Sequence, residues 1–399
     1  MAFFLVVWIV ASIARPLLIV SLLLVASKPS AAIRKVELLG TTLLFLIASR
    51  DKTWKKPPKD PDSFFTKDST IQRKTIVFLR HGESTWNDTF NKGDRSKVSF
   101  LLYFGVNLAK AIAYEWYFWI SGQDNDSWFY DSPLSPKGLH QALQVQKFLQ
   151  TDIDHAPPKE AQILRLLTGK QKTASGTTTI DTSSQLVSSN LRRAISTMVV
   201  GFQDRLLATH NNQSTTTSST SSVDNILILD CLQEISRNPD ALSITPPHGQ
   251  VLPAFSDPPS LHHLYSNEDS TNDDDNDNDV RSSTMIKRKR QRIDTRLHTG
   301  NKAVSSNGLV RMKEFCSLVF DDYVLQQKSS IIVAGHSLWF RSFFQTYLPY
   351  TFDHVSKKKK LVNGGLVAFV LERTKPTSDD DDWAYRIDPK SLVVLHGGF

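Results

Sequence analysis

The sequence predicts an α/β fold: a three-layer sandwich in which a mostly parallel central sheet is flanked by helices. Apolar β-type runs alternate with helical patterns over most of the chain, and two of these runs end in a histidine beside a glycine. Residues 75–79 lead into Arg-His-Gly at 80–82, and residues 331–334 lead into Gly-His-Ser at 335–337. Open α/β sheets bind ligands at the carboxyl ends of their strands, so we expect both histidines at one site.

The remaining elements follow from local signals. Ser135 and Pro136 have the N-cap and first-turn arrangement of a helix that runs to about Gln150. A strand is predicted at 185–189, and Asn190 is expected to cap the helix after it. Further strands are predicted at 226–229, 365–371 and 392–395, and further helices at 308–325 and 338–347.

Long insertions interrupt this domain, which we place at residues 73–399. In the first, near 90–128, apolar residues recur at steps of three and four, which predicts an amphipathic helix. Its many aromatic residues suit packing on the core, a lid over the site or contact with a bilayer. The other insertions, near 168–184, 208–224 and 266–305, are polar. Little order is expected at 168–184, and residues 211–222 and most of 266–305 are expected to be disordered.

Residues 1–50 are predicted to form a membrane anchor. Residues 2–26 are apolar except at Ser12, Arg15, Pro16 and Ser21, and a bilayer span takes about 20 residues. A signal-anchor, a hairpin with the apolar run at 38–48, a cleaved signal peptide and a buried helix of a soluble fold all remain open. Lysine and arginine residues follow the segment, which favours a membrane-associated protein with a cytosolic catalytic domain. Residues 51–72 are predicted to be a basic, proline-rich, extended linker.

Composition limits the classes of partner and cofactor. The net charge of +7 is unevenly spread, and the basic run at 287–292 follows an acidic run at 273–279. Such neighbouring blocks are typical of a solvated loop, so no nucleic-acid partner is expected. Cys231 and Cys316 lack metal-ligand spacing and are expected to be buried thiols. We expect neither a metal nor another cofactor, and the sequence leaves the oligomeric state open.

The two histidine motifs carry the chemistry. A histidine beside an arginine at a strand end can attack phosphorus while the guanidinium holds the phosphate oxygens. Four further segments accompany them: Ser-Thr-Trp-Asn at 84–87, Asp-Ser-Pro-Leu-Ser-Pro-Lys-Gly at 131–138, the stretch 187–197 with its Arg-Arg-Ala, and Leu-Gln-Glu-Ile at 232–235. With these motifs in this order, residues 73 to 372 resemble the histidine phosphatase superfamily, which includes the cofactor-dependent phosphoglycerate mutases.

The resemblance implies a role for each matching residue. His81 would be the nucleophile, and Glu234 the acid and base that serves the leaving oxygen and then water. Arg193 directly precedes the alanine, as the family's arginine does, whereas Arg192 is expected to be a solvated helix residue. The implied phosphate ligands are Arg80, Arg193, His336, Asn87 and Ser84.

The function implied is a membrane-anchored phosphomonoester hydrolase that forms a phosphohistidine and acts on a phosphorylated small molecule. A phosphomutase is the alternative. Glycolytic mutases carry Asn-Glu-Arg-His-Tyr-Gly at the acid, but residues 233–238 here read Gln-Glu-Ile-Ser-Arg-Asn, which favours a phosphatase. A catalytically silent binding module is a third reading, and the presence of both histidines, both arginines and the acid speaks against it.

Overall fold

The computed structural model describes residues 19, 23, 26–66, 70–93, 95–123, 125–151, 156–172, 178–180, 183–211, 224–265, 292–375 and 382–399. The strands are β1 (Gln72–Arg80), β2 (Lys170–Lys172), β3 (Thr178–Ile180), β4 (Ser184–Ser189), β5 (Ile226–Leu229), β6 (Ile293–Asp294), β7 (Ser330–Gly335), β8 (Leu366–Thr374), β9 (Ala384–Ile387) and β10 (Val393–His396). The helices are α1 (Pro29–Ala48), α2 (Thr85–Phe90), α3 (Lys97–Ser121), α4 (Pro136–Leu149), α5 (Pro158–Thr168), α6 (Arg192–Gly201), α7 (Gln203–Asn211), α8 (Gly308–Asp321), α9 (Ser337–Tyr347) and α10 (Val355–Lys358).

The main sheet has the strand order β10-β8-β1-β7-β4-β5-β6, and β9 pairs with β8. Strands β1, β7, β4, β5 and β6 are parallel to one another, while β8, β9 and β10 add antiparallel pairs at one side. The expected α/β fold with a central sheet between helices is therefore confirmed.

Strand β1 shows why both faces of the sheet are covered. Ile76 and Phe78 belong to one hydrophobic core, and Val77 and Leu79 belong to the other. Successive side chains of a strand point to opposite faces, so an uninterrupted apolar run requires helices on both sides. Helices α8 and α9 supply one core, and α4, α5 and α6 supply the other.

Helix α9 packs on β1 through aromatic rings. The rings of Phe78 and Phe340 stack at 4.1 Å with an interplanar angle of 8°, and Trp339, Phe343 and Phe344 meet Phe78 edge-on. Gly335 is the last residue of β7, and His336 lies between that strand and this helix. The packing of α9 therefore fixes the turn that carries the second histidine.

Local signals located most elements, and two local details differ. Ser135 caps α4 as predicted, with its hydroxyl accepting a hydrogen bond from the N–H of Gly138 at 3.1 Å. Asn190 does not cap α6, because its side-chain amide donates to the carbonyl of Gly300 at 3.0 Å and Leu191 is the N-cap residue. Helix α8 ends at Asp321 rather than near Leu325, and a separate 3₁₀ turn follows at Leu325–Gln327.

The predicted linker at 51–72 is not a free spacer over its described part. Asp51 and Pro61 are buried, and the hydroxyl of Tyr350 donates to the carbonyl of Pro57 at 2.7 Å. Asp62 also pairs with Arg386 at 2.5 Å. Side chains of the domain therefore hold this segment at Pro57 and at Asp62. The prediction of disorder through 266–305 is also wrong for residues 292–305, which contain β6 and the buried Lys302.

In the part of the chain that the structure describes, no helix combines the length and apolarity needed to cross a bilayer. Residues 1–18, 20–22 and 24–25, which hold most of the apolar run at 2–26, lie outside that part. Helix α1 begins at Pro29 and lies against α3, where Lys35 pairs with Glu115 at 2.6 Å. The Lys28 ammonium also donates to the carbonyl of Trp119 at 2.8 Å.

Helix α3 is the helix predicted in the first insertion. Its second half packs on the domain, where the ring of Phe118 lies 4.9 Å from that of Phe255. In its first half Phe104 lies 6.1 Å from the ring of Phe90, but Val98, Leu101 and Leu102 are 70 %, 75 % and 71 % exposed. One helix thus combines a second half that is anchored on the domain with a first half that exposes apolar side chains.

Candidate active site

His81 leaves the carboxyl end of β1 and is almost fully buried. Its Nδ1 lies 2.5 Å from the carbonyl oxygen of Gly82. A carbonyl can only accept a hydrogen bond, so Nδ1 must carry the proton. The neutral ring therefore keeps its lone pair on Nε2, as a nucleophile requires.

The turn after His81 depends on a close approach of two glycines. A Cβ on Gly82 would lie 2.3 Å from the carbonyl oxygen of Gly138, and a Cβ on Gly138 would lie 2.0 Å from that of Glu83. The N–H of Gly82 also donates to the hydroxyl of Thr197 at 3.0 Å, and this hydroxyl donates to the carbonyl of Arg193 at 2.7 Å. The nucleophile turn is thereby tied to the helix that carries Arg193.

His336 is brought beside His81 by the register of the sheet. Arg80 pairs with Gly335, and the centroids of the two imidazole rings lie 5.0 Å apart. Nε2 of His336 lies 2.9 Å from the hydroxyl of Ser189, whereas its buried Nδ1 has no hydrogen-bond partner. If Ser189 donates to Nε2, the proton sits on Nδ1 and is available to a ligand.

Two guanidinium groups complete the pocket. Arg80 donates from Nη1 to the carbonyl of Leu361 at 2.6 Å, and Arg193 donates from Nη1 to the carbonyl of Asp240 at 2.7 Å. The Nε of each arginine is buried without a hydrogen-bond partner. Together with Nδ1 of His336, three buried nitrogens near His81 lack a hydrogen-bond partner, and all three are donors when Ser189 donates to Nε2 of His336. Buried donors that lack partners are rare in folded proteins, and an anion would satisfy these three.

Glu234 follows β5 and faces the same pocket. Its Oε2 lies 4.0 Å from Nδ1 of His336, and its Oε1 accepts from the N–H of Ile235 at 3.0 Å. Arg237 does not pair with it, because that guanidinium donates to the carbonyl of Ser49 at 2.7 Å. Glu234 is thus a partly free carboxylate at the edge of a cationic pocket.

The environment keeps both histidines neutral. Burial is the largest cause that lowers the pKa of His81 well below its usual range, and the charges of Arg193 and Arg80 lower it further. Burial likewise lowers the pKa of His336, with Arg193 as the next cause. Burial also lowers the pKa of Arg80 to about 10, against the opposing charges of Glu234 and Glu83.

The carboxylate of Asp240 places a negative charge beside the arginines of the pocket. Its Oδ2 lies 3.5 Å from Nη2 of Arg193, and burial raises the pKa of its carboxyl to about 6 despite that neighbour. The carboxylate therefore competes with any bound anion for the guanidinium above that pH. No sequence motif pointed to it.

The structure brings together five of the predicted residues, namely Arg80, His81, Arg193, Glu234 and His336. Ser84 and Asn87 are engaged in α2: the Ser84 hydroxyl accepts from the N–H of Asn87 at 3.2 Å, and Asn87 Oδ1 accepts from Asn91 at 2.6 Å. Their part in phosphate binding stays a prediction.

The prediction for Arg192 is wrong. It was expected to be solvated, but it is buried and paired with Asp126, and its N–H donates to Asp131 at 2.7 Å. The reason is that residues of the first insertion cover the outer face of α6 at this point.

Sequence reasoning missed several supporting residues. Ser189 and Thr197 lie within segments that resemble the family, but their hydroxyl contacts become visible only in the folded chain. Asn363 donates to the carbonyl of His81 at 2.9 Å. Lys360 lies close enough for its charge to act on Glu234 and Arg80.

A metal could find ligands here as well. His81, Glu234 and His336 each offer one ligand atom, and these atoms lie within 4.8 Å of one another. Arg80 and Arg193 flank the same space, however, and two guanidinium groups repel a cation while they attract an anion. The donor set as a whole therefore suits a phosphoryl group better than a metal ion.

No protein-family model matches the chain, and no curated protein matches it. Among solved structures, a putative alpha-ribazole-5'-P phosphatase from Escherichia coli matches at 10% identity and a TM-score of 0.30, over 82% of this chain and 96% of that one. A mycobacterial glucosyl-3-phosphoglycerate phosphatase matches at 13% identity and a TM-score of 0.30, over 79% and 98%.

A phosphoglycerate mutase from Bacillus anthracis matches at 12% identity and a TM-score of 0.30, over 76% of this chain and 89% of that one. Likeness at this level says nothing about what this chain acts on. The matching structures are members of the histidine phosphatase superfamily, the family that the motifs of this chain resemble.

Proposed function

We propose that this protein is a phosphomonoester hydrolase that works through a phosphohistidine at His81. The observation that carries the proposal is the set of three buried nitrogens without partners, on Arg80, Arg193 and His336, beside an imidazole with its lone pair on Nε2. With the proton of His336 on Nδ1, all three are donors. A phosphoryl group offers three oxygens to these donors and a phosphorus atom to the lone pair.

The reaction would proceed in two displacements. Nε2 of His81 attacks phosphorus, the bond to the leaving oxygen breaks, and Glu234 gives that oxygen a proton. Glu234 then takes a proton from water, whose oxygen attacks phosphorus and releases phosphate and neutral His81. The arginines and His336 hold the charge of the equatorial oxygens in both steps.

We also propose that the protein is membrane-associated through its N-terminus, with the catalytic domain on the cytosolic side. The apolar sequence at 2–26 and the uncovered side chains at the start of α3 support this. Protease protection of the catalytic domain in sealed cytosol-side-out vesicles would contradict the orientation, and extraction from membranes by carbonate would contradict anchoring.

The full chain in detergent would be assayed for phosphate release from a broad panel of phosphomonoesters. His81→Ala is expected to abolish release, and the exposed His140→Ala serves as the matched control. Wild-type protein quenched with a phosphorus-labelled substrate should carry acid-labile label that His81→Ala lacks. Exchange of phosphate groups between substrates without net release would instead indicate a mutase.

A further inference from the structure

A short segment that precedes the domain is built into the support of the candidate acid. Residues 49–51 directly follow α1, and Asp51 is 1 % exposed. The carbonyl of Asp51 accepts from the N–H of Gly308 at 3.2 Å, and the N–H of Arg50 donates to the carbonyl of Val304 at 3.3 Å. The chain thus enters the domain here, twenty residues before the first strand of the sheet begins at Gln72.

Two buried cations meet the side chain of Asp51. Its Oδ2 accepts from Nζ of Lys302 at 2.6 Å, and its Oδ1 accepts from Nη2 of Arg311 at 2.5 Å. The N–H of Ser236 also donates to Oδ2 at 3.1 Å. Among the described residues, no other carboxylate forms an ion pair with either cation.

The same cations hold the backbone on both sides of Glu234. Lys302 donates from Nζ to the carbonyl of Glu234 at 2.5 Å and to that of Ser236 at 2.7 Å. Arg311 donates from Nη1 to the carbonyl of Gln233. Asp51, Lys302 and Arg311 therefore form one buried network, here called the acid-loop clamp, that contacts residues 233, 234 and 236.

We propose that Asp51 is a positioning residue for Glu234, acting through Lys302 and Arg311, so that the segment after the N-terminal helix forms part of the active site. The inference rests on the proposed function of Glu234. Two buried cations without a counter-charge are strongly unfavourable, so loss of the Asp51 carboxylate would drive Arg311 toward water and Lys302 toward water or deprotonation. Either change releases the carbonyls that hold the loop.

The pH dependence of activity distinguishes a positioning role of Asp51 from a purely structural one, because a purely structural role would leave it unchanged. Burial lowers the pKa of Lys302 to about 8, and the charge of Asp51 is the largest cause that opposes this shift. Activity that needs the ammonium falls as pH rises through that value. The other ionisable groups acting on Lys302 are Arg311, Glu234, Asp240 and His336. Without the Asp51 carboxylate the pKa of Lys302 drops, so the alkaline limb moves to lower pH.

The test compares full-length Asp51→Asn with wild type and with Asp353→Asn, whose carboxylate is exposed and paired with Lys358. Asp51→Asn is expected to lower kcat by roughly 10- to 100-fold, part of the roughly 10²- to 10⁴-fold that a positioned acid–base group contributes. KM should change little, because the phosphate donors are untouched. The alkaline limb should shift down by at least about half a pH unit, and Asp51→Glu should restore part of kcat.

A double-mutant cycle with Lys302→Met keeps the test decisive if Asp51→Asn is unstable. Strong non-additivity in kcat, measured on protein shown to be folded, supports the clamp. Additive effects, an unmoved alkaline limb or an unchanged kcat in folded Asp51→Asn would overturn it. If the wild-type enzyme releases no phosphate from any substrate, that result would instead contradict the proposed function.

Discussion

Oε2 of Glu234 lies 4.0 Å from Nδ1 of His336, the ring nitrogen that lacks a hydrogen-bond partner. This places the candidate acid beside the space that a phosphoryl group would fill. Glu234→Gln keeps the shape but cannot transfer a proton, so kcat is expected to fall by roughly 10²- to 10⁴-fold. With a substrate whose leaving group needs no proton, labelled phosphohistidine should accumulate in a rapid-quench assay, because its hydrolysis is slowed.

Glu83→Gln is the matched control for this prediction. Glu83 follows His81 by two residues, so it is the nearest alternative acid along the chain. Its Oε1 is 3.6 Å from Nζ of Lys137. We expect less than about a tenfold loss of kcat there, because Glu83 pairs with the half-exposed Lys137, and ion pairs with exposed partners contribute little. A greater loss in Glu83→Gln than in Glu234→Gln would reassign the acid.

The buried histidines should make the free energy of unfolding depend on pH. The folded-state pKa of His81 lies below its unfolded value of 6.5, so below that pH the unfolded chain binds more protons and stability falls as pH falls. The expected slope is about 1.4 kcal/mol per pH unit for each such histidine. His81→Asn should therefore show a smaller slope than wild type in urea unfolding between pH 6 and 5.

Comparison with the variant removes the contribution of other groups, including Asp240, which titrate in both proteins. Equal slopes in wild type and His81→Asn would mean that His81 is protonated in the folded state. The proposed nucleophile would then lack its lone pair at those pH values.

Asp240 is expected to weaken anion binding in a pH-dependent way. Its Oδ2 lies 3.5 Å from Nη2 of Arg193, and its carboxyl has a pKa of about 6. Asp240→Asn should lower the inhibition constant of orthovanadate severalfold at pH 7.5, on the order of 1 kcal/mol, because a competing negative charge is lost. At pH 5, where Asp240 is protonated, wild type and variant should bind alike; a ratio that stays constant with pH contradicts this cause.

The uncovered end of α3 is expected to contact lipid. Cys231 and Cys316 are buried, so a thiol introduced as Leu101→Cys can be labelled selectively with an environment-sensitive fluorophore. On transfer of the full chain from detergent to anionic phospholipid vesicles, the label should show blue-shifted emission and quenching by brominated lipid. A label at Val310→Cys, on the exposed side of α8, should remain in water. Equal behaviour of the two labels would contradict lipid contact by α3.

The elements nearest the chemistry were predictable because their signals are local. Residues 75–79 and 331–334 are short apolar runs that end in a glycine and a histidine, and parallel pairing of those runs brings the histidines together. Ser135 followed by Pro136 marks a helix start in any context. The sequence places a guanidinium group beside His81, but the largest cause of its low pKa is burial, which only the folded chain shows.

The parts that failed depend on contacts between distant residues. Asp51 and Lys302 are 251 positions apart, and neither has a pattern around it that indicates burial. Arg192 was predicted to be solvated because the sequence indicates which face of α6 points outward. The sequence does not indicate which residues of the chain cover that face. The linker looked extended because prolines fix the backbone, while Tyr350, which binds it, lies almost 300 residues away.

The contact between Gly82 and Gly138 has a genetic consequence. Each position excludes a Cβ because of a backbone oxygen, the carbonyl of Gly138 in one case and that of Glu83 in the other. A flexible side chain can move aside, but a backbone atom held in a strand end or a helix start cannot. In a saturation screen both positions should tolerate glycine alone, and no second substitution at the partner position should rescue either one.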